Sequence, residues 1–221
     1  MFGWWRRRSS ERTARRWVVV DVETTGLQMS VDELLSIGGV AMFDGHVVPA
    51  DSIEIIIKKP SASSRENILV HGIGIQAQLS GTDPRDAMRE FIDFIGPDPL
   101  IAFHAPFDRT FLARAIKNYL NLPFDNPWLD IAELASVLYP KAGQQTLDEW
   151  LQRYGISPAS RHNAAADAFA TALLVARLLP EAKRQGAGDY FAMRRLTRHA
   201  RWLRSTCFNA MMKLRSAAGQ R

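Results

Sequence analysis

Two periods of apolar residues alternate along this chain. Residues 17–22, WVVVDV, form a short β-branched run that predicts a buried strand. Leu34 to Phe43 predicts a second strand, and a turn at Asp44-Gly45 leads into a third through Ile53 to Ile57. Lys58 to Gly81 shows neither period. With Pro60, several serines and an isolated His71-Gly72-Ile73, it reads as a loop. After Asp83-Pro84 the period lengthens, and Ala87, Phe91, Ile92 and Ile95 recur at helical spacing. Leu100 to Phe103 predicts a short strand and Phe107 to Tyr119 a helix. Ile131 to Leu138 predicts a helix that stops before Pro140. Thr146 to Tyr154 predicts another, opened by Thr146 and Glu149 in the spacing of a capping box. Ala164 to Leu179 is a strongly apolar helix ended by Pro180, and Gln185-Gly186-Ala187-Gly188 reads as a joint. Strands come first, then helix and strand alternate, with no internal repeat. That order predicts an α/β fold, a mixed sheet flanked by helices.

Length and composition add few constraints. The 221 residues suffice for one well-buried domain, and 47% hydrophobic with 23% charged is ordinary for a globular chain. A lone Cys207 excludes an internal disulfide and cysteine-rich zinc sites, so a reducing cytoplasm is the expected location. No apolar run approaches the ~20 residues that span a bilayer. The basic N-terminus lacks the apolar stretch of a signal peptide.

Charge is distributed unevenly. Residues 1–16 carry six Arg against Glu11, and residues 181–221 carry ten Lys/Arg against Glu181 and Asp189. Residues 17–180 carry 12 basic against 20 acidic groups. An acidic middle between basic ends suits a polyanionic partner such as nucleic acid or an anionic membrane; solvated tails that confer solubility are the plainer reading.

Five residues in three segments carry the candidate chemistry: Asp21 and Glu23 in VVVDVETTGL, Asp108 in FHAPFD, and His162 with Asp167 in RHNAAAD. Asp21 and Glu23 stand two apart on a strand and so point to one face. Asp108 follows a strand and opens a helix, where ligands of open α/β sheets gather. His162 in the loop and Asp167 in the first turns of the helix after it can face one site. Taken singly, each has a plain alternative: a solvated strand end, a helix N-cap, a surface loop. Taken together, four converging carboxylates would repel one another unless hard cations neutralised them. Mg²⁺ and Mn²⁺ are the oxygen-preferring candidates, and a histidine beside them is a ready proton acceptor.

The three segments, in this order and spacing, resemble the motifs of the DEDDh 3′–5′ exonuclease family, of the type found in the epsilon proofreading subunit of bacterial DNA polymerase III. The resemblance covers about residues 17–180. It divides the chain into a basic N-terminal tail (1–16), an exonuclease domain (17–180) and a basic helical C-terminal extension (181–221). It implies an RNase H-like fold and a two-metal mechanism. Asp21, Glu23, Asp108 and Asp167 match the family's ligands for two Mg²⁺ or Mn²⁺ ions, and His162 matches its general base. Thr24, Thr25 and Leu27 match the stretch that holds the last nucleotide, with Leu27 packed on its base. His71-Gly72-Ile73 matches a segment near the substrate end. The second motif is commonly His-Asn-Ala-x-Phe-Asp, whereas here His104 stands in place of the Asn, a departure that bears on substrate fit.

The implied function is removal of nucleoside 5′-monophosphates from single-stranded or frayed 3′ ends, with DNA favoured over RNA by the polymerase-like ETTGL. An RNA-directed exonuclease of the oligoribonuclease or RNase T kind shares the chemistry. A reading from another class is a non-catalytic protein that binds nucleic acid or docks a partner. The extension lies outside the resemblance. From Leu196, apolar or small residues recur at Ala200, Leu203, Cys207, Ala210 and Leu214, one stripe of a helix, with Arg194, Arg195, Arg198, Arg201 and Arg204 at other positions. Such a helix can complete the core or meet a polymerase, another protein or a second copy. The reading favoured here is that its basic face holds the substrate strand.

Overall fold

In a computed structural model that describes residues 15–158 and 160–202, strand β1 (Arg16–Thr24) runs through the middle of a five-stranded sheet. β2 (Leu34–Phe43) and β3 (His46–Ile56) extend it antiparallel on one side. The chain then forms α1 (Arg65–His71), α2 (Ile75–Ser80) and α3 (Pro84–Ile95). On the other side of β1 lies β4 (Leu100–Ala102), parallel to it; α4 (Ala105–Leu120) follows. β5 (Trp128–Asp130) pairs parallel to β4 and completes the order β3-β2-β1-β4-β5. The C-terminal ends of β1, β4 and β5 therefore emerge together. α5 (Ile131–Leu138), α6 (Leu147–Arg153) and α7 (Ala164–Arg184) follow, and residues 190–202 form a helix, α8.

The alternation of β1 assigns its two faces. Val18, Val20 and Val22 pack with Ile37, Ile55, Phe91, Ile95, Phe111 and Ile116 under α3 and α4. Trp17 and Val19 pack with Met42, Ile101, Leu129, Trp150 and Leu174 under α5, α6 and α7. Trp150, Phe91 and Phe111 are fully buried, each contributing about 1.5–3 kcal/mol of apolar burial. By the same alternation Asp21 and Glu23 fall on the face covered by α7.

Several elements depart from the expectations. Lys58–Gly81 is not a plain loop but holds α1 and α2. β5 is an additional three-residue strand. Pro180 does not end α7, which continues to Arg184; Pro180 sits on its exposed side, and the missing N–H there costs only one bond near the helix end. Core packing also continues past residue 180. Ala182, Ala187, Tyr190, Ala192 and Met193 join the α7-side core, and the Tyr190 and Trp17 rings lie 6.2 Å apart. The N-terminal arginines before Arg15, Leu203, Cys207, Ala210 and Leu214 of the predicted stripe, and Arg204 of the basic positions lie outside the described residues.

Candidate active site

A glycine lets the acids meet. Asp21 pairs across β1 and β2 with Gly38. A Cβ on Gly38 would lie 2.1 Å from the carbonyl carbon of Ala164, so only glycine lets the start of α7 rest on the sheet there. Asn163 caps that helix, its side chain accepting from the Ala166 N–H at 2.9 Å and donating to Glu54 Oε1 at 2.8 Å. Asp167 in the first turn is thereby set against the end of β1. Asp21, Glu23 and Asp167 each place one carboxylate oxygen within 4.8 Å of the other two. The His162 N–H donates to Asp167 Oδ2 at 3.1 Å; His162 has φ 56 and its side chain is exposed.

Asp108 comes to the same end of the sheet from the opposite face. It is the fourth residue of α4 and 3% exposed. It is not the N-cap; His104 is, in left-handed backbone at φ 63 and ψ 48. Asn and His are among the few non-glycine residues enriched in that conformation, so His104 suits this backbone. Asp108 lies outside the three-acid group, but its charge acts on Asp21.

The electrostatics are those of acids short of cations. Burial, followed by the charges of Asp108, Asp167 and Glu23, holds the Asp21 carboxyl well above the ordinary carboxylate range, against the pull of Arg161. Burial and then Asp167 push Glu23 up to about 7. Burial also raises Asp108, opposed by the backbone N–H groups of Asp108 and Val22. Within this group the cation is Arg161, whose guanidinium bonds Asp167 and reaches Asp148 Oδ1 at 2.5 Å. Oxygen donors alone, too acidic in sum to stay ionised together, fit hard divalent ions. The three acids placed to share such an ion are Asp21, Glu23 and Asp167.

The turn after β1 flanks this cluster. Thr24 Oγ1 donates to the Gly26 carbonyl at 2.6 Å, and Thr25 Oγ1 donates to Asp32 Oδ1 at 3.0 Å while accepting from the Glu33 N–H at 3.0 Å. Both hydroxyls therefore shape the turn. Gly26 approaches the Asp32 carboxylate so closely that a Cβ would lie 2.5 Å from it. Arg114 of α4 bonds the Met29 and Asp32 carbonyls, tying the turn to the helix that carries Asp108. Leu27 is left 83% exposed. His71 does not face the open site. It is buried; its Nδ1 accepts from the Ile73 N–H at 2.9 Å and its Nε2 meets Asn67 Oδ1 at 3.0 Å. Asn67 Nδ2 donates in turn to the Thr24 carbonyl at 3.1 Å, so Asn67 links His71 to the turn.

The sequence reading passed over three residues. Gly38 was signalled by a Gly-Gly pair inside an apolar run. Arg161, next to His162, carried no signal of its own. Asp130 ends β5 and caps α5, accepting from the Glu133 N–H at 3.2 Å; burial raises its carboxyl, and its charge acts on Asp108.

The family model described as "Exonuclease" matches residues 18–175. The DNA polymerase III PolC-type of Thermotoga petrophila is 32% identical over 170 residues, covering 77% of this chain and 12% of that protein. A DNA polymerase III subunit epsilon-like protein of Rhodobacter capsulatus is 32% identical over 192 residues, 85% of this chain and 27% of that one. The chain thus spans only a small part of these relatives. Among solved structures, E. coli exonuclease I in complex with a dT13 oligonucleotide superposes with a TM-score of 0.66 at 16% identity, covering 77% of this chain and 42% of that one. That likeness is one of fold, the RNase H-like mixed sheet. With the family model spanning most of its length, the chain belongs to the exonuclease family.

Proposed function

We propose that this protein is a 3′–5′ exonuclease that releases nucleoside 5′-monophosphates from single-stranded or frayed DNA ends. The observation that carries the reading is the convergence of the Asp21, Glu23 and Asp167 carboxylates, with Asp108 alongside and one arginine among them. Two Mg²⁺ or Mn²⁺ ions bound there would activate a water and stabilise the leaving 3′ oxygen. His162, exposed and pinned at its backbone by Asp167, takes the proton from that water. The turn at Thr24 and Thr25 receives the terminal nucleotide, and exposed Leu27 packs on its base once the base has left the stack. His71 supports that turn through Asn67. His104, exposed at the start of α4, flanks the entering strand. DNA is favoured because the relatives are named as DNA polymerase III proteins and the solved neighbour holds dT13. The same names favour a polymerase as the protein partner.

The test is a side-by-side assay of 5′-labelled single-stranded DNA, RNA and a duplex with a mismatched 3′ end, with Mg²⁺ or Mn²⁺. Stepwise shortening from the 3′ end, with DNA degraded faster, is expected. His162→Gln slows it by ~10²–10⁴-fold, the usual contribution of a positioned base. Faster RNA degradation would transfer the reading to the RNA-directed alternative. No hydrolysis of any substrate would leave only a binding role.

A further inference from the structure

α8 climbs toward the active site along the edge of the sheet. The Tyr190 hydroxyl bonds the Leu100 and Pro127 carbonyls, at the starts of β4 and β5, at 3.1 and 2.9 Å. One turn on, Arg194 Nε donates to the Trp128 carbonyl at 3.2 Å. Near its described end, Arg201 Nε donates to Glu133 Oε1 at 3.0 Å, just past the C-terminal end of β5. The Glu133 N–H in turn donates to Asp130, the last residue of β5, at 3.2 Å, so Arg201 lies near the C-terminal end of the sheet.

The helix divides cleanly. Tyr190, Met193 and Thr197 are buried. Arg194 and Arg201 hold its flank to the core. Arg195, Arg198, His199 and Trp202, spaced i, i+3, i+4, i+7, are exposed on the far side. The His199 and Trp202 rings stack, 6.3 Å apart and inclined 18°, and Trp202 is 60% exposed. Residues 190–202 contain four Arg and no acid. Cations interleaved with stacked aromatics form the pattern that tracks a single strand. The domain that α8 borders is acidic, so attracting phosphates to this edge falls to the helix.

We propose that the outward face of α8 is a track for the single strand upstream of its 3′ end, Arg195 and Arg198 contacting phosphates and the His199–Trp202 pair stacking a base. This rests on the exonuclease reading above. The partner is single-stranded nucleic acid, recognised by backbone charge and base faces rather than by sequence.

The experiment pairs Arg195→Glu/Arg198→Glu with Trp202→Ala in the full chain. Binding of a fluorescein-labelled oligo-dT of about 20 nucleotides is followed by anisotropy in EDTA over a range of salt. The charge variant should bind about tenfold more weakly at low salt, and its log–log salt slope should shrink by about 1.4, roughly 0.7 for each phosphate no longer neutralised. Trp202→Ala should bind about tenfold more weakly with its slope intact, and Trp202→Phe should recover most of the loss. With Mg²⁺, the preference for the long strand over a dinucleotide, as a ratio of kcat/KM, should fall about tenfold in both variants. A salt slope and strand preference equal to wild type, in variants with an unchanged thermal midpoint, would overturn the track and leave the face to a protein or an anionic membrane. A loss shared equally by the long strand and the dinucleotide would overturn it too, by placing the damage at the catalytic end. Wild-type protein that binds oligo-dT with the expected slope but cleaves neither substrate would refute the exonuclease reading while leaving the track standing.

Discussion

The two ends of β1 carry the same kinds of charge and treat them in opposite ways. At its start, Arg16 holds Asp51 through two bonds of 2.8 and 2.9 Å and Asp98 through one of 2.6 Å. Its guanidinium also lies 5.2 Å from the Phe94 ring centroid. Its bond to Asp51 lowers that carboxyl and raises its own pKa. At the other end, Asp21, Glu23 and Asp108 are all raised, and Arg161 acts on Asp21 and Glu23 while bonding Asp167. The first end is a clamp in which one guanidinium bonds both carboxylates. The second lacks positive charge, a deficit that the fold maintains by pressing α7 onto Gly38. Partnered carboxylates hold a fold together; under-partnered ones at the ends of parallel strands mark where an external cation belongs.

Breaking each end in turn should give opposite phenotypes. Asp21→Asn removes one of several repelling charges. Activity should fall by more than the ~10–100-fold that loss of an outer-shell metal partner costs, while the thermal midpoint in EDTA holds or rises. Arg16→Met strands two half-buried carboxylates. It should cost about 1–3 kcal/mol in urea unfolding, below the figure for a fully buried pair because all three groups are partly exposed. Activity per folded molecule should survive it. An Arg16→Met enzyme as inactive as Asp21→Asn would end the contrast.

Gly38→Ala tests how the deficit is built. The added methyl has nowhere to go unless the start of α7 lifts from the sheet. A loss of about 1–3 kcal/mol is expected, as for other overpacked sites, together with weaker Mn²⁺ binding because Asp167 moves with the helix. Wild-type Mn²⁺ affinity by calorimetry would separate the close approach from the placement of the acid.

The parts legible in the sequence were those in which one period or one cap decides the structure. The capping box at Thr146 and Glu149 is present, with the Thr146 N–H 2.7 Å from Glu149 Oε2. α5 spans Ile131–Leu138, as its pattern predicts. α1 and α2 were invisible because their buried residues are His71 and Gln78, both polar, while Leu69, Val70, Ile75 and Leu79 are exposed, so no apolar stripe exists to be found. β1 extends two residues beyond the apolar run because its hydrogen-bonded register with β2 continues through Glu23↔Ser36. The site acids were legible through their motifs, and the fold groups three of them. What no motif could give was the coupling among them: the glycine that lets two elements touch, and the arginine that stands in for missing charge.

The titration of Glu23 sharpens the comparison further. Its carboxyl is raised from 4.5 to about 7 in the metal-free protein. A raised acid favours the folded state when protonated, so its contribution is full below about 4.5 and is lost as pH rises through about 7. In EDTA, stability should therefore decline across that window. Protons and metal compete for the same oxygens, so the rise in thermal midpoint caused by Mn²⁺ should be larger above the window than within it. An equal rise at both would remove Glu23 from the ligand set.

The smallest effect, and the most informative about the deficit itself, belongs to Arg161. Its guanidinium bonds buried Asp167 on one side and exposed Asp148 on the other. An ion that took Asp167 Oδ1 would compete with it, and Asp148 would remain to hold the displaced side chain. Arg161→Gln should therefore destabilise the EDTA form by no more than about 1 kcal/mol, since the guanidinium is partly exposed. It should also tighten Mn²⁺ binding, about fivefold for each 1 kcal/mol of competition removed. With saturating Mn²⁺ the variant and the wild type should then unfold at nearly the same temperature, because a metal-loaded wild type would have given up the Arg161–Asp167 ion pair that the substitution removes. Asp148→Asn should act in the opposite sense. Without its outer partner, Arg161 commits to Asp167, and Mn²⁺ binding should weaken. Calorimetric titration of the two variants reads the sign directly. Shifts in the same direction would mean that Arg161 does not compete with the metal.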